Sequence, residues 1–210
     1  MRLGDFDFAP SKIVCVGQNY RLHAQEMGKG IPSEPLLFFK PPSALVGDGG
    51  VIERPGGYAR VDHEAELGVV IGKRARRVSK AAALDHVQGY TCVNDVTVRE
   101  LQQKDGQWSR AKGFDTFCPV GPRIVAGLDP SDLSIRCRVN GVSKQDSRTS
   151  DLIFDVPTLI EFISAHMTLE PGDLISTGTP AGVGNLDVGD LVEVDIEGIG
   201  VLSNRVVARE

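Results

Sequence analysis

The sequence predicts a mainly β protein of the α+β class, a mixed β-sandwich roll that carries a few short helices. Short apolar runs closed by glycine recur along the chain, as at 13–17 and 66–72, and this pattern is typical of buried strands. Two further pairs of apolar runs flank tight-turn residues, which predicts hairpins. Strands do not alternate regularly with long helices, so a doubly wound parallel sheet fits poorly.

Strands are predicted at three places in the first half of the chain: 13–17, 66–72 and 90–95. Asn140-Gly141 marks a hairpin, because both positions tolerate the positive φ of its turn. A second hairpin is predicted at 191–196 and 201–207, with its turn at Glu197-Gly198. These elements account for the mainly β prediction.

Helices are predicted where apolar residues recur at helical spacing. One begins at Asp155, with Pro157 in its first turn and apolar positions at 159, 160, 162 and 163. Another spans 81–86. A third follows Asp95. The helices are few and short, as the fold class requires.

Length and composition predict a single domain over residues 1–210. Its 41% hydrophobic and 24% charged content lies near globular averages. A formal net charge of -5 argues against nucleic-acid binding. The first ten residues lack the apolar core of a signal peptide, so we expect no secretory signal, and no apolar run is long enough to span a membrane. We therefore expect a cytoplasmic protein whose scattered cysteines, Cys15, Cys92, Cys118 and Cys137, stay reduced.

Glu64 and Glu66 belong to an extended segment that leads directly into the predicted buried strand at 66–72. Residues two apart on a strand share a face, so these carboxylates project together while His63 and Ala65 point away. At ~5 Å and an effective dielectric near 20, their repulsion is on the order of 3 kcal/mol, which a bound cation would reverse. A Glu-x-Glu pair also occurs on solvated strand faces, so this pair alone leaves both interpretations open.

Asp95 ends the third predicted strand, where its carboxylate can meet the other two. Aspartate also caps helices well, but Thr97 and Glu100 form a Thr-x-x-Glu capping box that already serves the following helix. Three carboxylates without clustered His or Cys favour a hard cation with positions left open for water and substrate. The sequence therefore predicts an Mg²⁺ or Mn²⁺ site at Glu64, Glu66 and Asp95.

A helix of about two turns is predicted from Asn19, as its N-cap, to Gly28, as its stop. His23 and Glu26 share one face of it, and a carboxylate that holds an imidazole in one tautomer makes a general base. The alternative is an exposed surface pair. Because so short a helix is marginal in water, residues 19–33 are predicted to be a lid that orders on ligand binding.

Two further segments carry residues suited to bind an anion. Lys112 stands among aromatic residues and glycine, where its ammonium can meet a substrate carboxylate or enolate unless it is a solvated surface lysine. The loop at 176–184 can offer backbone N–H groups to an anion. Its glycine spacing does not match a dinucleotide fingerprint.

Six motifs follow one another in order over roughly 12–207: Val16-Gly17-Gln18-Asn19-Tyr20 with His23 and Glu26, Phe39-Lys40-Pro41, His63 to Gly72, Asn94-Asp95-Val96-Thr97, Ala111-Lys112-Gly113-Phe114-Asp115, and Thr177-Gly178-Thr179-Pro180. Together they resemble the fumarylacetoacetate hydrolase superfamily, most closely its short branch of acylpyruvase and oxaloacetate decarboxylase-like enzymes. Gln18 departs from the pattern, since many relatives carry arginine there.

The resemblance implies a sandwich roll of the fumarylacetoacetase C-terminal type, usually a homodimer. It also implies roles for individual residues: Mg²⁺ or Mn²⁺ ligation by Glu64, Glu66 and Asp95, water activation by His23 and Glu26 on a closing lid, enolate stabilisation by Lys112, and lining of the pocket by Arg99, Gln102 and Thr179.

The implied function is a divalent-metal-dependent hydrolase that cleaves the C–C bond of acylpyruvate-type 2,4-dioxo acids to pyruvate and a carboxylic acid. An oxaloacetate decarboxylase or a 2-hydroxyhepta-2,4-diene-1,7-dioate isomerase would use the same metal-enolate site. A non-catalytic alternative is a binding or sensor module for a small 2-oxo acid. A non-haem iron oxygenase fits poorly, because no two of the four histidines have convincing ligand spacing.

Overall fold

The computed structural model describes residues 1–26, 28 and 30–210. Its strands, in chain order, are β1 (Arg2–Leu3), β2 (Phe6–Asp7), β3 (Ile13–Gly17), β4 (Leu36–Lys40), β5 (Leu45–Val46), β6 (Val51–Arg54), β7 (Val61–His63), β8 (Ala65–Ile71), β9 (Val87–Asn94), β10 (Thr97–Val98), β11 (Cys118–Val125), β12 (Ser134–Val139), β13 (Val142–Arg148), β14 (Leu174–Ser176), β15 (Gly184–Asn185), β16 (Leu191–Ile196) and β17 (Gly200–Ala208). Its α-helices are α1 (Arg21–Glu26), α2 (Arg99–Asp105), α3 (Ser109–Lys112) and α4 (Val156–His166), and 3₁₀ segments lie at Pro42–Ala44, Lys80–His86 and Thr149–Asp151.

Two large sheets dominate the fold, which confirms the mainly β prediction. One has seven strands in the order β4-β3-β14-β8-β9-β11-β5, and the other has five in the order β13-β12-β16-β17-β6. Both are mixed, since β14 runs parallel to β3 but antiparallel to β8, and β17 runs parallel to β6 but antiparallel to β16. Two small sheets, β10-β7-β15 and β1-β2, complete the described topology.

The main hydrophobic core joins the two large sheets. Leu67 and Val69 of β8 belong to the same buried cluster as Ile135 of β12 and Val194 of β16. Every residue of β8 is buried, as expected for a strand covered on both faces, and this explains its continuous apolar run. The core therefore fixes the position of β8, which begins at the carboxylates described below.

The predicted hairpins and the strand at 13–17 are confirmed. β12 and β13 pair through a turn in which Asn140 and Gly141 adopt φ values of 52° and 77°, as two-residue hairpin turns require. β16 and β17 pair from Leu191↔Arg205 to Ile196↔Gly200. Local turn chemistry was sufficient to locate both connections.

The helix predicted at Asp155 is confirmed as α4, whose N-cap is the Asp155 side chain accepting from the Thr158 backbone N–H at 2.9 Å. The segment predicted at 81–86 is a 3₁₀ helix rather than an α-helix. No helix among the described residues is long and apolar enough to cross a membrane.

The N-cap predicted at Asn19 is wrong. Its amide is fully buried and bonds to distant backbone groups instead: Nδ2 donates to the carbonyls of Phe154 and Thr177 at 3.0 and 2.8 Å, and Oδ1 accepts from the Phe154 N–H at 2.8 Å. The long-range partners occupy the groups that a cap would need. The predicted lid at 19–33 includes Met27 and Lys29, which lie outside the described residues.

The capping box predicted at Thr97 and Glu100 is also wrong. The Thr97 hydroxyl donates to the Asp95 carbonyl at 2.8 Å, and the Glu100 carboxylate accepts from the backbone N–H groups of Ala59 and Arg60 at 2.6 and 3.1 Å. α2 starts at Arg99 without a side-chain cap. Tertiary partners therefore outcompete the local capping pattern at this helix.

Candidate active site

Strand pairing brings Glu64, Glu66 and Asp95 together, and we call these three residues the carboxylate centre. Each offers one oxygen, and the three oxygens lie within 4.8 Å of one another. β8 and β9 pair so that Ala65 faces Asn94, and the Asp95 N–H donates to the Glu64 carbonyl at 2.8 Å. Glu64 lies just before β8 rather than within the predicted strand. The convergence expected from the sequence is thus a consequence of the sheet register.

Two buried lysines contact the carboxylate centre. Lys112 Nζ lies 3.0 Å from a Glu64 oxygen and 2.6 Å from an Asp95 oxygen, and it donates to the Thr97 hydroxyl at 2.8 Å. Lys40 Nζ, at the end of β4, donates to the other Asp95 oxygen at 2.5 Å. Lys112 is therefore not the solvated lysine of the alternative interpretation.

Sequence reasoning gave Lys40 no role, although the residue belongs to one of the motifs quoted above. The available signal was a lysine that closes the apolar strand β4 and precedes a proline. Lysines are almost never fully buried unless they are paired. A lysine at such a position therefore predicts a buried acidic partner, but the sequence does not say which one.

Arg99 connects the centre to α2. Its guanidinium lies 2.6 Å from a Glu64 oxygen. It also donates to the Asp62 carboxylate at 2.7 Å and to the side-chain amide oxygen of Gln102 at 2.8 Å. The two residues predicted to line the pocket, Arg99 and Gln102, are thus in direct contact. Asp62, which sequence reasoning missed, is fully buried and also accepts from Arg60.

The acids of the centre differ in electrostatic environment. Burial opposes the ionisation of Glu64, but Lys112 and Arg99 outweigh it and hold the pKa of Glu64 below its ordinary value. Burial, together with the neighbouring Asp95 and Glu64, raises the pKa of Glu66 to about 8. The described hydrogen bonds to Glu66 come from neutral donors, the Ser176 hydroxyl at 2.5 Å and the Gly178 N–H at 2.8 Å.

This chemistry fits a hard divalent cation. Such an ion prefers carboxylate oxygens and would relieve the repulsion that raises the Glu66 pKa. The burial of all three acids in one cluster also favours a bound ion over the solvated strand face considered for Glu64 and Glu66.

His23 faces the same cavity from α1. Its Nδ1 lies 3.0 Å from a Glu26 oxygen, so the predicted hydrogen bond is present. The imidazole is buried whereas Glu26 is exposed, and the pair is therefore not a simple exposed surface pair. Both Glu26 oxygens also lie 3.4 Å from the Gly182 N–H.

A cavity of about 310 Å³ joins these groups. Eight predicted site residues line it: His23, Glu64, Glu66, Asp95, Arg99, Gln102, Lys112 and Thr179. The other lining residues are Val16, Gly17, Gln18, Phe38, Gln103 and Trp108. Of the described lining residues only His23 is a histidine, which disfavours a site with two histidines and one carboxylate.

The loop at 176–184 contacts an acidic side chain of the protein itself, Glu66. Its Gly178 N–H donates to Glu66, and the Thr179 hydroxyl donates to the Ala65 carbonyl at 2.8 Å. Gly178 adopts a φ of 100°, and a Cβ there would lie 2.8 Å from the Asn19 Cβ. The close approach and the positive φ both account for glycine at this position.

A family model described as fumarylacetoacetate (FAA) hydrolase C-terminal matches residues 12–207, and the chain belongs to this family. An uncharacterized protein of Methanocaldococcus jannaschii is 56% identical over 204 residues, covering 97% of this chain and 86% of that protein. An oxaloacetate tautomerase of Bacillus subtilis is 46% identical, and the match covers 94% of this chain and 70% of that protein. The structure of a 2-hydroxyhepta-2,4-diene-1,7-dioate isomerase from Mycobacterium marinum matches with a TM-score of 0.90 at 52% identity. The match covers 96% of this chain and 76% of that structure's chain.

These comparisons confirm the resemblance and the fold inferred from the six motifs. Two of these three relatives are named as enzymes, one as a tautomerase and one as an isomerase. Their names agree with the alternatives considered for the sequence more closely than with C–C bond hydrolysis.

Proposed function

We propose that the protein is a divalent-metal-dependent enzyme that interconverts enol and keto forms of a small 2-oxo acid, as an isomerase or tautomerase. The observation that carries this proposal is the meeting of the carboxylate centre, Lys112 and His23 in one cavity. A base beside a cation-binding centre is what proton transfer next to a carbonyl requires. The names of the relatives support the same reaction class.

Glu64, Glu66 and Asp95 would hold Mg²⁺ or Mn²⁺ at the base of the cavity. When bound, such an ion supplies Lewis-acid polarisation of the 2-oxo group and orients the substrate through its oxygens. The Lys112 ammonium, held between Glu64 and Asp95, adds a positive charge where the enolate oxygen develops. Arg99 and Gln102, which contact each other, offer donors to the substrate carboxylate.

His23 is the proposed proton carrier. Glu26 engages Nδ1 and leaves Nε2 as the nitrogen that faces the chemistry. In the direction from keto to enol, Nε2 takes a proton from the carbon beside the carbonyl and then delivers that proton to the oxygen of the resulting enolate, so His23 returns to its starting state. The reverse sequence returns the keto form, so no atoms are gained or lost.

The second candidate is acylpyruvate hydrolysis, and the His23–Glu26 hydrogen bond favours it. A histidine held by a carboxylate can also deprotonate water, which would then attack the distal carbonyl of a 2,4-dioxo acid. The C–C bond breaks, and the products are pyruvate and a carboxylic acid.

We further propose that residues 1–210 form a single catalytic domain and that the protein is a homodimer.

A substrate panel with Mg²⁺ separates these reactions. Oxaloacetate and acetylpyruvate are followed by loss of enol absorbance and by release of pyruvate, with Mg²⁺ alone as the blank. Faster loss of the oxaloacetate enol without pyruvate supports the tautomerase. Pyruvate from acetylpyruvate supports the hydrolase, and pyruvate from oxaloacetate supports a decarboxylase.

Trp108, the only tryptophan of the chain, lines the cavity and reports binding through its fluorescence. A ligand that changes this fluorescence but is not converted supports the sensor alternative. For a sensor, His23→Ala would leave affinity nearly intact, whereas for the enzyme it removes most of the turnover. Wild-type protein that holds metal yet converts none of the panel would refute the proposed reaction.

A further inference from the structure

Gln145 is a buried amide on an otherwise exposed edge strand. β13 ends its sheet, and most of its residues are exposed or half-buried, but Gln145 is 1% exposed. Burying an amide is unfavourable unless its donors and its acceptor all find partners. The partners of Gln145 therefore indicate what its burial achieves.

The Gln145 side chain joins two segments of the active site. Its Oε1 accepts from the backbone N–H of Ala65, the residue between Glu64 and Glu66, at 3.0 Å, and it also lies 3.2 Å from Nδ1 of the buried His63. Its Nε2 donates to the Thr179 hydroxyl at 2.7 Å and to the Pro180 carbonyl at 2.8 Å. This amide orientation is fixed by chemistry, because the Ala65 N–H needs an oxygen and the Pro180 carbonyl needs a donor.

The loop held by Gln145 reaches both parts of the proposed machinery. At one end, the Gly178 N–H donates to Glu66. At the other, the Gly182 N–H lies 3.4 Å from both oxygens of Glu26. Between them, the Thr179 hydroxyl returns to the Ala65 carbonyl and closes a ring of hydrogen bonds with Gln145. A single loop thus connects Glu66 with the partner of His23.

The loop also rests directly on the backbone of β13. Gly182 has a φ of 97°, and a Cβ there would lie 2.1 Å from the Lys144 carbonyl oxygen. Real Cβ atoms do not approach a backbone oxygen so closely, so only glycine permits this contact. Gln145 and Gly182 therefore fix the loop to β13 at two independent points.

We propose that Gln145 is a positioning residue that sets the distance between the carboxylate centre and the His23–Glu26 pair through the loop at 178–182. Its kinetic consequences rest on the proposed reaction, whereas its effect on metal affinity rests only on the proposed metal site at the carboxylate centre. Groups that orient metal ligands typically contribute about 10- to 100-fold to metal affinity or activity.

The test uses Gln145→Glu, which keeps the acceptor for Ala65 and removes both donors to the loop, and Gln145→Met, which removes the donors and the amide acceptor without adding charge. We expect both variants to lower kcat about 10- to 100-fold, more than they change KM, and to weaken Mg²⁺ binding in calorimetry about tenfold. The matched control is Asn204→Asp, because Asn204 is a buried amide whose Nδ2 donates to the carbonyls of Gly47 and Gly50 at 2.8 and 2.9 Å. It should lower the melting temperature but leave kcat and Mg²⁺ affinity unchanged.

Gly182→Ala tests the same inference while leaving the Gln145 side chain intact, and it decides the matter if the Gln145 variants do not fold. Its Cβ should displace the loop from β13 and reproduce the loss of kcat. The proposal is overturned if Gln145 variants only lose melting temperature, as the control does, or if folded Gly182→Ala keeps full activity. If the wild type binds Mg²⁺ but turns over no 2-oxo acid, the proposed function fails, and Mg²⁺ affinity still decides the role of Gln145.

Discussion

The carboxylate centre and α1 form two walls of one cavity but are built differently. The centre lies at strand ends, is buried throughout, and its acids Glu64 and Asp95 contact Lys40, Lys112 or Arg99. α1 spans six residues, Arg21–Glu26, and its chemistry depends on one hydrogen bond between His23 and Glu26. The first wall is fixed by the core of the fold, whereas the second is a short helix of which His23 and Ala24 are buried.

This difference assigns separate tasks to the two walls. Sheet register holds charged groups in place without a ligand, which suits the ion-binding task proposed for this centre. A short helix has little stability of its own, which suits a segment that completes the site after binding. Variants in the carboxylate centre should therefore change stability or metal affinity, whereas variants in α1 should change turnover and leave metal affinity intact.

The largest expected effect is that of Asp95→Asn. It removes a proposed metal ligand and leaves the buried ammonium groups of Lys40 and Lys112 without their shared partner. We expect turnover to fall to the blank and the unfolding free energy to drop by about 3–5 kcal/mol in urea titrations. Asp146→Asn, which breaks an exposed pair with Arg136, is the control and should cost less than about 1 kcal/mol. Wild-type stability in Asp95→Asn would contradict the description of the centre.

His23→Ala and Glu26→Gln probe the second wall. We expect kcat to fall about 10²- to 10⁴-fold, because a general base is lost or left unoriented. Mg²⁺ affinity measured by calorimetry should stay near that of the wild type, since neither residue belongs to the carboxylate centre. Gln25→Ala, an exposed position on the same helix, is the control and should keep full activity. A parallel loss of Mg²⁺ affinity would remove the distinction between the walls.

Glu66→Gln distinguishes two acids within the first wall. Asp95 contacts two lysines, whereas burial and neighbouring carboxylates raise the pKa of Glu66 to about 8. The neutral amide removes this repulsion, so the metal-free variant should be at least as stable as the wild type. Its Mg²⁺ affinity should nevertheless fall more than about tenfold. Thermal unfolding in the presence of a chelator checks the predicted stability, and calorimetry checks the predicted Mg²⁺ affinity. Clear destabilisation of the metal-free variant would count against the distinction between Glu66 and Asp95.

The smallest expected effect concerns Asp173, remote from the cavity. Burial alone would raise the pKa of Asp173, but hydrogen bonds from Lys12, Ser11 and the Glu170 N–H lower it below its ordinary value of 3.8. A depressed pKa contributes stability at neutral pH that is lost as the pH falls through the folded-state pKa.

Asp173→Asn should therefore cost about 1–3 kcal/mol at pH 7, with catalysis unchanged. The difference from the wild type should shrink as the pH falls below about 4. Urea titrations across this range provide the measurement. A difference that does not vary with pH would show that the charge of Asp173 is irrelevant to stability.

The sequence was sufficient to predict the first wall because strand geometry is local. Glu64 and Glu66 precede and enter a buried run, Asp95 follows another, and pairing of the two runs is enough to bring them together. The hairpin at Asn140-Gly141 was predictable for the same reason, since its turn depends on two adjacent residues.

Features that depend on distant partners were not predictable. Asn19 resembles a helix cap but bonds to Phe154 and Thr177, and Glu100 resembles half of a capping box but binds the backbone at Ala59. Gln145 shows the same limitation, because on an exposed strand it resembles any surface glutamine. Only the folded chain reveals that its amide reaches Ala65 and the loop after β14.

Titration of the metal-free wild type with Mg²⁺, followed by melting temperature, tests the carboxylate centre most directly, with Glu64→Gln alongside. At about 100 times the dissociation constant, binding should add about 2.7 kcal/mol and raise the wild-type melting temperature by roughly 5 to 10 °C. Glu64→Gln should show little of this shift. A melting temperature that is the same in Mg²⁺ and in chelator would contradict the assignment of these acids to a metal site.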